Sequence, residues 1–223
     1  MGIFTTAVVS GMEDGSISCG LASSLRSAQC FGSVAKAGEL RGSSIKDLSR
    51  LVLSGCGPEV SLGMAAINST LPKMDYQELN AATLLAEQAK DKTVAVIGHF
   101  PFTERLRGAA EKLLVFELNP KASGDLPTDK IPELLPLADV VAITALTLLN
   151  GTFDSVLASC RKDAFKMLLG PSAPLSEIVF DYGIDAVSGT VVADIPLLLT
   201  YLAEGANFKS LQGKKLVTLL KSR

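Results

Sequence analysis

Two β-type runs at 5–9 and 16–21 open the chain, separated by Glu13-Asp14-Gly15. Asp-Gly between strand-like segments predicts a hairpin. Ser44-x-x-Asp47 then precedes Leu48, Leu51 and Val52 at helical spacing, with Gly55 as the stop. Pro58-Glu59 suits the first turn of a second helix, where a missing N–H costs nothing and an acid complements the dipole. Val60, Met64, Ile67 and Leu71 line one face of it. Strands followed by helices predict a small α+β unit.

After the polar Lys90-Asp91-Lys92 the texture changes to near-continuous apolar runs alternating with helical segments, the pattern of a parallel sheet covered on both faces. Strands are expected at 93–97, 113–118, 138–145, 164–169 and 186–192, and helices at 103–112, 128–135, 153–160, 175–182 and 196–204. Five such units predict an α/β fold: a small Rossmann-like parallel sheet with helices on both faces, over residues 91–223, preceded by the smaller α+β domain of residues 1–90.

Length and composition narrow the function classes. A chain of 223 residues that is 48% hydrophobic can build a sizeable core, and disorder is excluded. The net charge of −2 leaves no broad basic field, so no nucleic-acid partner is expected. The apolar stretch within 140–149 contains threonines and falls short of the roughly 20 residues that span a bilayer, so no membrane partner is expected either. The start lacks a basic region followed by an apolar one, and four dispersed cysteines without a C-x-x-C pair read as buried thiols, which together point to a cytoplasmic protein.

In an open parallel sheet, ligands settle beyond the carboxyl ends of the strands, so the residues just after each strand carry the candidate chemistry. After the first comes Gly98-His99-Phe100-Pro101, with Arg105 and Arg107 close behind and the N–H groups of a helix start available to an anion. This is not a G-x-G-x-x-G loop, which argues against an ordinary NAD or FAD site, and a plain strand-to-helix turn reads the same residues as well. Glu117 ends the second strand near the spacing at which nucleotide folds bind ribose, though an acid there is more often a cap or a solvated charge. Thr144, Thr147 and Asn150-Gly151-Thr152 after the third could bond a ligand or cap the next helix. Gly170-Pro171-Ser172-Ala173-Pro174 is a rigid turn, and Gly189-Thr190 and Asp194 add a hydroxyl and a carboxylate. His99 is the single histidine, so general acid/base work would fall to it, and a tightly held metal would need carboxylates such as Glu59, Glu117 or Asp194, or would arrive in a small chelator.

Together, Val96-Ile97-Gly98-His99-Phe100-Pro101, Thr144-x-x-Thr147-x-x-Asn150, Gly170-Pro171-Ser172-Ala173-Pro174 and Ser188-Gly189-Thr190 resemble the family called "putative heavy-metal chelation" domain proteins. The run from Pro58 to Asn68 resembles the helix of the small domain that precedes it in that family, a domain similar to the N-terminal domain of enolase. The resemblance implies a ligand site in the crevice between the domains, and a role in handling heavy metals. On this chain it places Gly98, His99, Pro101, Glu117, Thr144, Asn150, Ser172 and Asp194 in the crevice, with Glu59 and Asn68 facing them. The leading expectation is a small polar or anionic ligand there, with a metal ion or metal chelate as the cofactor class and His99 as the one catalytic candidate. The alternative is a lyase or transferase using an adenosine-type cofactor, with Glu117 on ribose. A third is an assembly module, a homodimer built on Leu197, Leu198, Leu199 and Leu202 or on the tail leucines from Leu216.

Overall fold

The computed structural model describes residues 1–25, 34–120 and 123–222. Strands β1 (Thr5–Gly11) and β2 (Ile17–Ser23) form the expected antiparallel hairpin, with Gly15 in the left-handed region at φ 80° to close the turn. The short helix α1 (Ile45–Arg50) starts where Ser44 accepts the Asp47 N–H at 3.1 Å, and α2 (Gly57–Thr70) carries Pro58 in its first turn. Then come α3 (Ala81–Ala89), β3 (Thr93–Ile97), α4 (Thr103–Ala109), β4 (Lys112–Glu117), β5 (Asp125–Pro127), α5 (Ile131–Leu134), β6 (Val140–Thr144), α6 (Leu146–Leu149), α7 (Phe153–Ser159), β7 (Phe165–Leu169), α8 (Ile178–Asp181), β8 (Ala186–Val192), α9 (Ile195–Ala203) and β9 (Lys214–Leu220).

The large sheet runs β5-β4-β3-β6-β7-β8-β9, parallel except for β9, which is antiparallel to β8. Successive residues of its strands bury on opposite faces. Ala95, Ile97, Val141, Ile143 and Leu168 pack with Ile131, Leu135, Val156 and Phe180 on one side. Val94, Val96, Val140, Ala142 and Met167 pack with Leu85, Ala89 and Leu106 on the other. That two-sided burial is why the strands read as continuous apolar runs.

Several elements differ from expectation, and the short β5 and α6 are unforeseen. The tail leucines belong to β9, so they extend the sheet as its edge strand instead of lying over it. The helix expected at 128–135 is reduced to α5 with a 3-10 turn on each side, because Pro132 and Pro136 break the bonding pattern. The helix expected at 175–182 shrinks to the four residues of α8. Finally α3, unforeseen, lays Leu85 and Ala89 against the large sheet. Cys56 is disulfide-bonded and not a thiol, Cys19 and Cys160 are free, and Cys30 lies outside the described residues. Among the described residues no helix is long and apolar enough to cross a membrane.

The hairpin is held from both sides. Val8 and Ala22 face Val60, Met64 and Ala65 of α2, while Leu21 faces Leu198 and Leu202 of α9 and the nearby Leu211. The approach of β2 to α2 depends on Gly20: a Cβ there would lie 2.2 Å from the Ala65 carbonyl oxygen and from the Ser69 nitrogen, both backbone atoms. Gly20→Ala is therefore expected to lower unfolding free energy by about 1–3 kcal/mol, whereas Gly11→Ala, with nothing within 4 Å, should stay close to wild type. Urea denaturation of both variants checks this, and equal stabilities would show that the hairpin does not rest on α2 as described.

Candidate functional site

The strand order reverses at β3, with β4 on one side and β6 on the other, so the switch-point crevice lies between the loops after β3 and β6. Gly98 occupies the left-handed region at φ 92°, donates its N–H to the Phe116 carbonyl at 2.8 Å, and approaches Thr144 so closely that a Cβ would meet its methyl at 3.0 Å. His99 follows, its side chain 47% exposed, with Nδ1 3.9 Å from Oδ1 of the buried Asp125 at the start of β5. Pro101 is exposed in the turn into α4, and Glu117 ends β4 half-buried beside Pro127. Thr144 Oγ1 accepts the Leu146 N–H at 3.3 Å, and Asn150 Oδ1 accepts both the N–H and the hydroxyl of Thr152 in the turn after α6. The helix start expected to receive an anion is internally satisfied at Phe100, whose N–H meets Thr103 Oγ1 at 3.2 Å, and Arg107 pairs with Glu104.

A second concavity, about 510 Å³, opens between the hairpin, the carboxyl end of α2 and the end of β8. Residues 16–19, Asn68, Lys73, Tyr76 and 190–192 line it. Asn68 donates from Nδ2 to the Leu21 carbonyl at 2.8 Å and more loosely to the Ser172 carbonyl at 3.4 Å, which leaves its Oδ1 buried without a hydrogen-bond partner. Oγ1 of Thr190, another lining residue, is likewise buried and unpartnered. Buried polar atoms are nearly always bonded, so two orphans lining one cleft stand out. Asp14 at the rim is held below the usual carboxylate range, first by the Ser16 hydroxyl and amide and more weakly by the charge of Lys73. Burial pushes the Cys19 thiol, also lining the cleft, up to about 11.

Of the ten residues singled out from sequence, Asn68 alone lines this cleft. Ser172 sits beside it as a fastener, fully buried with its hydroxyl accepting the Ser23 N–H at 2.8 Å. Gly98 and Thr144 meet at the strand ends by the switch point, His99 and Pro101 follow Gly98, Glu117 ends the neighbouring β4, and Asn150 is engaged with Thr152 in the turn after α6. Asp194 caps α9 by accepting the Leu197 N–H at 2.9 Å. Glu59 is engaged within its own region, accepting the Ser54 hydroxyl and the Ala35 N–H. Sequence reasoning missed Asp125, Tyr76, Lys73 and Cys19; Thr190 stood in a quoted motif, but nothing marked it above its neighbours.

Residues 80–221 and 1–71 match two family models, each described as "Putative heavy-metal chelation". The chain belongs to this family. An uncharacterized protein of Methanocaldococcus jannaschii is 34% identical over 152 residues, a match covering 65% of this chain and 59% of that protein. Two solved structures of family members with unknown function share the fold. The one from Pyrococcus horikoshii is 21% identical with a TM-score of 0.85, covering 99% of this chain and 90% of that one. The one from Desulfitobacterium hafniense is 24% identical with a TM-score of 0.79, covering 99% and 88%.

The donors described here do not fit a bare heavy-metal ion held by this family member alone. Among the described residues no three His, Cys, Asp or Glu side chains come together. The thiols of Cys19 and Cys160 belong to different clusters, and burial pushes both up to about 11, so both stay protonated at neutral pH, whereas the thiolate is the metal ligand.

Glu59 yields a pH prediction. Its carboxyl is held below the usual glutamate range, first by the Ser54 hydroxyl and then by the Ala35 N–H. A lowered folded-state pKa contributes stability above the unfolded value and loses it as pH falls through the folded value. Wild type and Glu59→Gln should therefore differ most above pH 4.5 and converge on acidification below it. Thermal unfolding from pH 7 to 3 measures this, and parallel curves would contradict the assignment.

Proposed function

We propose that this family member holds a small polar ligand in the cleft between the hairpin and the large sheet, and that the ligand is a metal ion carried in a small chelator. One observation supports the reading: two residues that line the cleft, Asn68 and Thr190, each keep a buried side-chain oxygen without a hydrogen-bond partner. Leaving a buried acceptor unsatisfied costs about 1–3 kcal/mol, a cost that a ligand's donor removes. The volume of about 510 Å³ lies in the usual range for small-molecule sites. Because the described side chains do not form a ligand set for a bare ion, a chelator that brings its own donors is the form in which the family's metal description suits this chain. The cleft lies between a hairpin–helix unit that we read as enolase-N-like and a Rossmann-like sheet, so the site belongs to the junction of the two. With a net charge of −2 the partner is a small molecule and not a nucleic acid.

Thermal unfolding against a panel of divalent metals and metal chelates tests the reading. A ligand at a hundred times its Kd should add about 2.7 kcal/mol, which is about 5–10 °C for a chain of this size. Thr190→Val removes the orphan hydroxyl without changing shape, so the free protein should be at least as stable as wild type and bind about fivefold to tenfold more weakly. No shift with any member of the panel, or an unchanged affinity in Thr190→Val, would overturn it.

A further inference from the structure

The walls of the cleft include residues 16–19 from one strand region and 190–192 from another. Successive strand residues send their side chains to opposite faces, so a wall made of consecutive residues is the strand's edge, where the backbone itself is presented. The hydrogen-bond parity of both ladders shows that these edges are open. In the hairpin, Met12 N–H bonds the Ser16 carbonyl and Ser24 N–H bonds the Phe4 carbonyl, so the even-numbered pairs are the bonded ones. Ile17, Cys19, Leu21 and Ser23 therefore turn their backbone groups outward. At the inner end side chains meet them: Ser172 Oγ takes the Ser23 N–H and Asn68 Nδ2 reaches the Leu21 carbonyl. At Ile17 and Cys19 no described group does.

The facing edge repeats the pattern. Lys221 N–H to the Asp185 carbonyl and Ala193 N–H to the Gly213 carbonyl place the odd residues of β8 on β9. The even residues point the other way, where Ser188 accepts the Gly170 N–H at 3.1 Å and β7 then ends. Thr190 and Val192 continue past that end with their outward N–H and C=O groups facing the cleft and unpaired among the described residues.

Resting on the cleft reading above, we infer that the chelator is itself a short extended peptide-like molecule whose amide groups pair with the open edge of β2 at Ile17 and Cys19, against the open edge of β8. Backbone pairing of this kind gives affinity through main-chain hydrogen bonds. The slot accepts a short molecule because Asn68 and Ser172 close its inner end. From Ile17 to Cys19 it spans about 7 Å, the reach of about three extended residues.

The test uses capped tripeptides, acetyl-Xaa-Thr-Xaa-amide with Xaa as Val, Leu, Lys or Glu, titrated calorimetrically into the full chain. At least one should bind. N-methylation of its central amide should weaken binding about tenfold, the cost of one lost backbone hydrogen bond whose acceptor is left unsatisfied. Ile17→Pro should do the same while leaving the melting temperature of the free protein unchanged, since the N–H it removes serves no hairpin bond. The N-methyl peptide reports on the pairing even if Ile17→Pro folds poorly. Failure of every tripeptide, or indifference to N-methylation, overturns the strand pairing. If metal chelates still bind and are weakened by Thr190→Val, the cleft reading stands without it; if nothing responds to Thr190→Val, both fall.

Discussion

The outer edge of β2 is not extended by another strand; two side chains finish it. Ser172, from the turn after β7, accepts the Ser23 N–H, and Asn68, from the end of α2, donates to the Leu21 carbonyl and reaches the Ser172 carbonyl as well. Without them, backbone groups would be buried and unbonded at the point where the hairpin meets the large sheet, at about 1–3 kcal/mol each. These bonds set how far the hairpin can enter. Leu21 can then reach Leu198 and Leu202, and Gly20 can lie against α2. Where the side chains stop, the edge is left open, and there the cleft begins. The fastening of the hairpin to the large sheet and the presence of a cleft follow from the same geometry.

That arrangement explains what the sequence disclosed and what it withheld. Five of the six parallel strands, all but the short β5, were legible because burial on both faces demands apolar residues at successive positions, and the hairpin was legible through Asp14-Gly15. Edge strand β9 was not, because Lys214, Lys215 and the exposed Leu216 lead it and only Val217 and Leu219 join the core. Asn68 was reached only through the family resemblance, which set it facing the crevice. Ser172, Glu59 and Asp194 carry the right chemical groups for a site, yet each is engaged in local structure: a fastener, the Ser54–Ala35 contact and a helix cap. A cleft walled by backbone edges has little side-chain signature, since any residue supplies an N–H and a C=O and only the register reveals which of them are open.

The second locus, at the switch point, has a different character. Gly98 and Thr144 pack against each other, and the protein's only histidine stands over Asp125 with half its surface in solvent. These residues carried the family resemblance, and the family membership they suggested is correct. Their packing at the junction of β3, β4 and β6 is architectural: glycine readily takes φ 92° at the end of a strand while bonding across to Phe116. Two of the three buried unpartnered side-chain oxygens among the described residues, those of Asn68 and Thr190, belong instead to residues lining the other cleft, and the third is Thr5 Oγ1 of β1.

Amide hydrogen exchange with and without a saturating metal chelate distinguishes the two loci most directly. Binding as described protects the amides of Ile17, Cys19, Thr190 and Val192, the open edges of the cleft, and leaves residues 98–101 and 144–150 exchanging as in the free protein. Protection confined to the loops after β3 and β6, with the cleft edges unaffected, would contradict the account and move the site to the switch point.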